Sequence, residues 1–203
     1  TLEKDLAGRG FTNLMRWSRG VDTALFHPRE GSVYDLPRPI FLNVGRIAVE
    51  KNLEAFLALD LPGSKVVIGD GPQLAELKRK YPAVHFLGPK TGEDLAAHYA
   101  GADVFVFPSL TDTFGNVVVE ALASGLPVAA YPVMGPIDIV GGTSAGVLSN
   151  DLREACLAAL SIRRQDAIDL AHRFDWRVSS AQFRDNLEEA QIRRRAMQAA
   201  HAG

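Results

Sequence analysis

The sequence predicts an α/β fold, a doubly wound parallel sheet with helices on both faces and a helical segment at the C-terminal end. Short apolar runs alternate with amphipathic runs through the middle of its 203 residues, at the spacing of strand–helix units. Runs that are apolar at every position, such as Val104–Phe107, are typical of parallel strands that are buried on both faces. The length favours one domain with an appendage, and such a domain buries about 70% of the surface that its unfolded chain exposes.

The elements follow in order along the chain. Each predicted strand is a short apolar run, and the last of the six is weaker than the others. These strands are Ile40–Val44, Lys65–Ile68, Val84–Leu87, Val104–Phe107, Pro127–Tyr131 and Gly146–Ser149. The stretches between them repeat their apolar residues at helical spacing. They predict helices at Glu50–Leu59, Pro72–Tyr81, Gly92–Ala100 and Val117–Ser124.

The two ends differ from the middle. Residues 1–38 mix Gly, Arg and Pro with little periodicity, so we predict a segment that enters from an N-terminal domain outside this sequence. We predict the sheet domain over residues 39–174 and a C-terminal helical segment over residues 175–203, with its helical pattern at Phe174–Gln198. The basic cluster Arg193–Arg195 is interpreted as a solvated helix end, with a membrane-surface role as the weaker alternative.

Composition excludes several classes of protein. A net charge of −2 argues against a general electrostatic grip on nucleic acid. The single cysteine, Cys156, rules out an intrachain disulfide, is expected to be a buried small apolar residue, and favours a cytoplasmic location. We see no signal peptide and no apolar run of about 18 residues that would cross a membrane. The start at Thr1, without an initiator Met, fits a piece of a longer chain.

A first group of charged residues follows the first strand. Gly45 lets the backbone turn, Arg46 leaves the strand tip, and Lys51 is expected in the first turn of the next helix. Cations normally prefer the last turn of a helix, so a Lys here beside an Arg indicates an anion such as phosphate between them. Two exposed surface cations are the alternative.

A second group follows the fourth strand. Asp112 lies in a polar loop, Gly115 precedes a helix, and Glu120 comes eight positions after Asp112. The free amides and positive dipole end of a helix N-terminus form a ready phosphate site. In the alternative interpretation, Asp112 caps a turn and Glu120 complements the helix dipole.

We predict no metal ion and no cofactor. The sequence has no D-x-D motif, and its histidines lack metal-ligand spacing. The segment Gly69–Pro72 lacks the G-x-G-x-x-G spacing, which makes a nicotinamide-cofactor site a weak hypothesis.

Taken together, these stretches resemble the donor-binding half of the retaining glycosyltransferases of family 4, which have the GT-B fold. The resemblance runs from about Gly20 to about Leu148 in the family's order and spacing. It rests on Gly45-Arg46 with Glu50–Asn52, Gly69–Pro72, Val84–Gly88, Ala102–Ser109, the acidic–x7–acidic element from Asp112 to Glu120, and Glu120–Val128. It implies a Rossmann-like domain that is one half of a GT-B fold.

The resemblance also implies roles for residues. Arg46 and Lys51 would bind the donor diphosphate and neutralise the charge that develops as the sugar–phosphate bond breaks. Asp112 would face the transferred sugar and Glu120 the ribose hydroxyls. Asp112 stands where the family usually has Glu, so its reach is one methylene shorter. The other residues expected at the donor are Gly45, Leu87, Gly88, Phe114, Gly115, Asn116 and Val117.

The function implied by the resemblance is metal-independent transfer of a hexose from a UDP- or GDP-sugar to a lipid or saccharide acceptor. The acceptor domain would precede this chain, the C-terminal helix would pack back toward that domain, and the isolated chain would not transfer sugar efficiently. The expected location is cytoplasmic, with peripheral attachment to the cytoplasmic face of a membrane as a variant. A non-catalytic nucleotide-sugar-binding module is one alternative. Another GT-B-like enzyme, such as a sugar-nucleotide epimerase or a phosphorylase, is the other.

Overall fold

The computed structural model describes residues 2–201, and a six-stranded parallel sheet forms their centre. The strands are β1 Ile40–Val44, β2 Ser64–Ile68, β3 His85–Phe86, β4 Val104–Phe107, β5 Val128–Ala130 and β6 Gly146–Leu148. Their spatial order is β3-β2-β1-β4-β5-β6, and every neighbouring pair is parallel. This order is that of a doubly wound sheet with its topological switch point between β1 and β4, which confirms the predicted fold class.

Helices cover the sheet on both faces. The helices of the described residues are α1 Leu2–Gly8, α2 Leu53–Leu57, α3 Leu74–Lys80, α4 Gly92–Gly101, α5 Asn116–Ala123, α6 Pro136–Val140, α7 Leu152–Ala159, α8 Arg164–Ala171 and α9 Trp176–His201. The helices α1 and α9 contribute no described residue to the apolar clusters against the sheet. Short 3-10 turns occupy Val49–Lys51 and His172–Phe174. Within residues 2–201, we find no helix with both the length and the apolar character needed to cross a membrane.

Alternate strand residues supply two apolar clusters, one on each face of the sheet. Leu42 and Phe105 point to the side of α4, α5 and α8, whereas Phe41 and Val106 point to the side of α2, α3 and α7. Cys156 is fully buried in the second cluster, and burial raises the pKa of its thiol to about 12. The prediction that this cysteine is a buried packing residue is therefore confirmed.

The predicted helix at Glu50–Leu59 is wrong as a single element. The chain makes the 3-10 turn Val49–Lys51, and Asn52 then adopts a left-handed conformation with φ 51° before α2 begins. Lys51 is consequently the last residue of that turn and not part of a first helical turn. Asn tolerates this conformation better than most residues, and its side-chain amide donates to the carbonyl of Pro108 at 3.1 Å. A contact across 56 residues thus breaks the helix where local pattern continues it.

Part of the N-terminal segment is built into the domain. Val21 and Phe26 are buried in the larger apolar cluster, and the Val21 amide donates to the Phe174 carbonyl at 2.7 Å. Residues 16–20 lie beside α9, where the Trp17 indole N–H donates to the Ser179 carbonyl. The predicted connection of residues 1–38 to another domain, and the other predicted domain bounds, stay predictions.

Candidate functional site

A cavity of about 430 Å³ opens at the carboxyl ends of β1 and β4. This is the topological switch point, where open α/β sheets bind their ligands. The cavity is lined by Arg19, Asn43, Val44, Gly45, Arg46, Lys51, Phe107, Pro108, Ser109, Asp112, Thr113, Phe114, Gly115, Asn116 and Val117. Arg46 and Lys51 of the first predicted group therefore meet Asp112 and Gly115 of the second, whereas Glu120 lies elsewhere.

The cavity exists because β1 and β4 stop pairing before they end. Their register pairs Phe41 with Val104 and Leu42 with Phe105. At the next residue the nearly buried Asn43 spans the gap, since its side-chain amide donates to the Val106 carbonyl at 2.9 Å. Asn43 thus keeps the crevice between the two strand ends in a fixed shape.

An ion pair joins the loops that follow β1 and β4. Lys51 Nζ lies 2.6 Å from Asp112 Oδ1, and both side chains are partly buried. The other oxygen, Asp112 Oδ2, is buried and has no hydrogen-bond partner among the described residues. A buried carboxylate oxygen without a partner is costly, so a hydrogen-bond donor that reaches this atom would stabilise it.

Arg46 also lines the cavity, but its side chain is more exposed to solvent than that of Lys51. Two thirds of its side chain is exposed, and Nη1 lies 3.4 Å from Glu50 Oε1. An exposed pair of this kind contributes only about 0.2–1 kcal/mol. Arg46 can therefore exchange Glu50 for a ligand anion at little cost.

The N-terminus of α5 faces the same cavity. Gly115 precedes the helix with φ 91° and offers no side chain to cap its first amides, and Asn116 and Val117 begin the first turn. These amides have no partner within the helix, and they stand at its positive dipole end. Val118 and Val119 are fully buried, so packing against the sheet overrides their weak helix propensity. The helix therefore presents amide donors beside the two cations.

Three predicted residues do not line this cavity. Glu120 points toward α4, where Oε2 accepts from the Tyr99 hydroxyl at 3.0 Å, and burial raises the pKa of the Glu120 carboxyl. Leu87 and Gly88 follow β3, the edge strand two positions from the switch point. Their predicted roles at the donor stay predictions.

Several residues that line the cavity are not predicted from the sequence. Arg19 arrives from the segment that we predicted to be a connection, and its position depends on α9, more than 150 residues away. Asn43 lies inside the predicted strand Ile40–Val44, and a polar residue near the end of an apolar strand is the signal that could have revealed it. Among the side chains that the structure describes, no group of three or more His, Cys, Asp or Glu residues could hold a metal ion.

Comparison with known proteins identifies the family. The family model described as "Glycosyl transferases group 1" matches residues 38–163, which is more than half of the chain. The chain belongs to the group 1 glycosyltransferases. The matched residues include both loops of the cavity, and the predicted family resemblance is confirmed at this level.

Curated glycosyltransferases are similar over most of this chain. Sulfoquinovosyl transferase SQD2 from Arabidopsis thaliana is 34% identical, over 93% of the chain and 43% of its own length. A GDP-mannose-dependent alpha-mannosyltransferase from Mycobacterium tuberculosis is 38% identical, over 71% of the chain and 40% of its own length. The chain thus spans about two fifths of the length of these relatives.

Solved structures confirm the fold of this group 1 domain. Sucrose-phosphate synthase from Thermosynechococcus elongatus superposes with a TM-score of 0.73 at 25% identity, over 97% of this chain and 57% of the other. HepE from Anabaena, solved in complex with UDP, superposes with a TM-score of 0.72 at 18% identity, over 91% and 60%. The predicted Rossmann-like, GT-B-type half is confirmed.

Proposed function

We propose that this chain is the donor-binding half of a retaining, metal-independent glycosyltransferase that moves a hexose from a UDP- or GDP-sugar to a lipid or saccharide acceptor. The observation that carries the proposal is the cavity at the switch point, where Arg46, Lys51 and the N-terminus of α5 converge. Two cations and a set of free backbone amides suit a diphosphate, which presents several anionic oxygens in a small volume. The names of two relatives support both nucleotides, since one depends on GDP-mannose and another is solved with UDP.

In the proposed reaction, the cations and amides of the cavity act on the charge of the leaving group. When the bond between the sugar and the diphosphate breaks, negative charge grows on the leaving phosphate. Arg46, Lys51 and the α5 amides are already in place to stabilise it, which is how preorganised donors lower a barrier. In this proposal these groups do the work that a divalent cation does in other transferases.

Asp112 is assigned to the transferred sugar. Its Oδ1 is occupied by Lys51, while Oδ2 is buried and without a partner among the described residues. A sugar hydroxyl that donates to Oδ2 would satisfy the atom, and the shorter side chain compared with Glu sets how close the sugar must come. Glu120 keeps its proposed role at the ribose, with Tyr99 holding one of its oxygens.

The rest of the proposal concerns the partners of this half. We infer an acceptor-binding domain that precedes this chain and packs against α9, whose exposed side includes Trp176, Phe183 and Leu187. A cytoplasmic location, with peripheral attachment to a membrane as a variant, belongs to the same proposal.

The test is a calorimetric titration of the chain with UDP, GDP and ADP in the presence of EDTA. We expect saturable binding of one nucleotide and at least a tenfold loss in Lys51→Ala, because a charged hydrogen bond to phosphate contributes about 1.5–3 kcal/mol. Lys78→Ala, on the exposed surface of α3, removes the same charge away from the cavity and should bind like wild type.

Two results would count against the proposal. Absence of binding to all three diphosphates would contradict a preformed donor site in this half. Equal affinity of wild type and Lys51→Ala would remove Lys51 from the site. Thermal unfolding of each variant shows whether a loss of binding reflects a loss of folding.

A further inference from the structure

Arg19 is a third cation of the cavity, and it comes from outside the residues that the family model covers. The match begins at residue 38, whereas Arg19 belongs to the N-terminal segment and lines the same cavity as Arg46 and Lys51. Its guanidinium makes no hydrogen bond or ion pair with the part of the chain that the structure describes. Its exposed side chain lies at the rim of a cavity already rich in anion-binding groups and has no described partner to release before it binds a ligand.

The backbone on both sides of Arg19 is fixed. The Ser18 amide donates to Gln182 Oε1 at 2.8 Å, and the Ser18 carbonyl accepts from the Ser179 hydroxyl at 2.7 Å. At Gly20 an added Cβ would lie 2.4 Å from the Trp176 ring. The backbone therefore packs directly against that indole and leaves no space for a side chain. The backbone of Arg19 is therefore held at the rim by α9 without a ligand.

The ring contact between Phe114 and Phe174 links this support to the cavity. The two rings meet edge to face with centroids 5.9 Å apart, and Phe114 itself lines the cavity. Phe174 also accepts the backbone hydrogen bond from Val21, two residues beyond Arg19. Residues 18–21, which include Arg19, and the loop after β4 thus both pack against Phe174 and its neighbours.

The three cations differ in whether a carboxylate of the protein already pairs with them. Lys51 is held by Asp112 at 2.6 Å and Arg46 lies 3.4 Å from Glu50, so each must loosen a carboxylate before it binds a ligand anion in full. Arg19 has no such competitor among the described residues. It is the cation that can engage an entering anion without exchange.

We propose that Arg19 binds the phosphates of the donor, as a third cationic contact beside Arg46 and Lys51. The inference rests on the proposed function, since the anion is taken to be the diphosphate of a nucleotide-sugar. The guanidinium donates in a planar fork that suits two phosphate oxygens at once.

The experiment titrates wild type, Arg19→Gln and Arg19→Lys with UDP and GDP, and with the matching nucleosides uridine and guanosine. We expect Arg19→Gln to lose about tenfold in diphosphate affinity, because one charged hydrogen-bonding partner is removed. Arg19→Lys should retain part of the affinity. Arg16→Gln, which removes a paired and exposed arginine from the same segment, is the matched control and should bind as wild type does.

The outcomes separate this inference from the proposed function. If wild type binds a diphosphate and Arg19→Gln binds it equally well, Arg19 is not a phosphate contact while the donor site stands. If Arg19→Gln weakens uridine or guanosine as much as the diphosphate, the residue acts on the shape of the site and the phosphate assignment is overturned. If wild type binds no diphosphate, the proposed function and this inference fall together. An unchanged melting temperature in Arg19→Gln is expected, since the side chain has no described partner.

Discussion

The Lys51–Asp112 pair puts a carboxylate in a cavity that we propose for an anionic ligand. This arrangement agrees with our assignment of Asp112 to the transferred sugar and not to the phosphates. By accepting from Lys51 through one oxygen, Asp112 fixes the ammonium group in the absence of ligand and keeps its second oxygen for another donor. A single methylene less than Glu then matters, because the carboxylate stays close to Lys51 and reaches less far into the cavity.

Glu120 leads to a prediction about pH. Burial raises the pKa of its carboxyl above the usual 4.5, and the hydrogen bond from Tyr99 only partly opposes this. The folded protein therefore holds the Glu120 proton more tightly than the unfolded chain does, so this group makes stability fall as pH rises from about 4.5 through the raised pKa. We predict that Glu120→Gln has a higher free energy of unfolding than wild type at pH 7. Urea denaturation between pH 4 and pH 7 measures it.

The control for this prediction is Glu76→Gln. Glu76 is exposed in the first turn of α3, so its neutralisation should leave the pH dependence of stability close to that of wild type. A Glu120→Gln variant that is less stable than wild type at pH 7 would show that the carboxylate is stabilised in place by its surroundings. The same variant should bind the donor nucleotide more weakly if Glu120 holds the ribose.

At the scale of elements, the loops after β1 and β2 approach each other too closely for a side chain at Gly69. A Cβ at Gly69 would lie 1.9 Å from the Gly45 carbonyl oxygen. We predict that Gly69→Ala lowers the free energy of unfolding by about 2 kcal/mol or more, because backbone must move and φ is 141°. It should also weaken nucleotide binding, since Gly45 carries Arg46. Chemical denaturation and calorimetric titration test both parts.

Gly88→Ala is the matched control at a neighbouring strand end. Gly88 also has a positive φ, of 73°, but a Cβ there meets no atom within 4 Å. We expect a cost of about 1 kcal/mol from the left-handed conformation alone. Equal losses in the two variants would show that backbone strain, and not the approach of the two loops, decides the effect at Gly69.

Sequence reasoning succeeded for elements whose pattern is local. Strand β1 has the predicted bounds because five consecutive buried residues end at a glycine turn. It failed at Asn52, where a hydrogen bond to Pro108 across the switch point sets a left-handed residue inside an apparent helical pattern. The loops that carry Arg46 and Asp112 could be assigned to one site because parallel strands place their carboxyl ends at one edge.

At the scale of the whole molecule, the contacts that the sequence did not reveal join the two ends of the chain. Ser18, which precedes Arg19, and its partners on α9 are more than 150 residues apart, and no periodicity within either segment indicates their contact. Glu120 was assigned to the donor with the other motif residues, yet its partner Tyr99 lies on the neighbouring helix α4. Position in a motif predicted that Arg46, Lys51 and Asp112 lie near one another, while packing between elements decided which way the Glu120 side chain points.

The last prediction concerns α9 as a support. Neither apolar cluster includes a described residue of α9, so deletion of residues 176–203 should leave a cooperatively unfolding sheet domain. The deletion removes the Gln182 and Ser179 contacts to Ser18, which frees the backbone that holds Arg19. We predict faster amide hydrogen exchange at Ser18 and a fall in diphosphate affinity to that of Arg19→Gln, with no further loss when both changes are combined.

Ser180→Ala, an exposed change on α9, is the control and should alter neither the exchange rate at Ser18 nor the diphosphate affinity. Full affinity in the truncated chain would mean that Arg19 does not depend on α9 for its position, and loss of cooperative unfolding would make α9 part of the core.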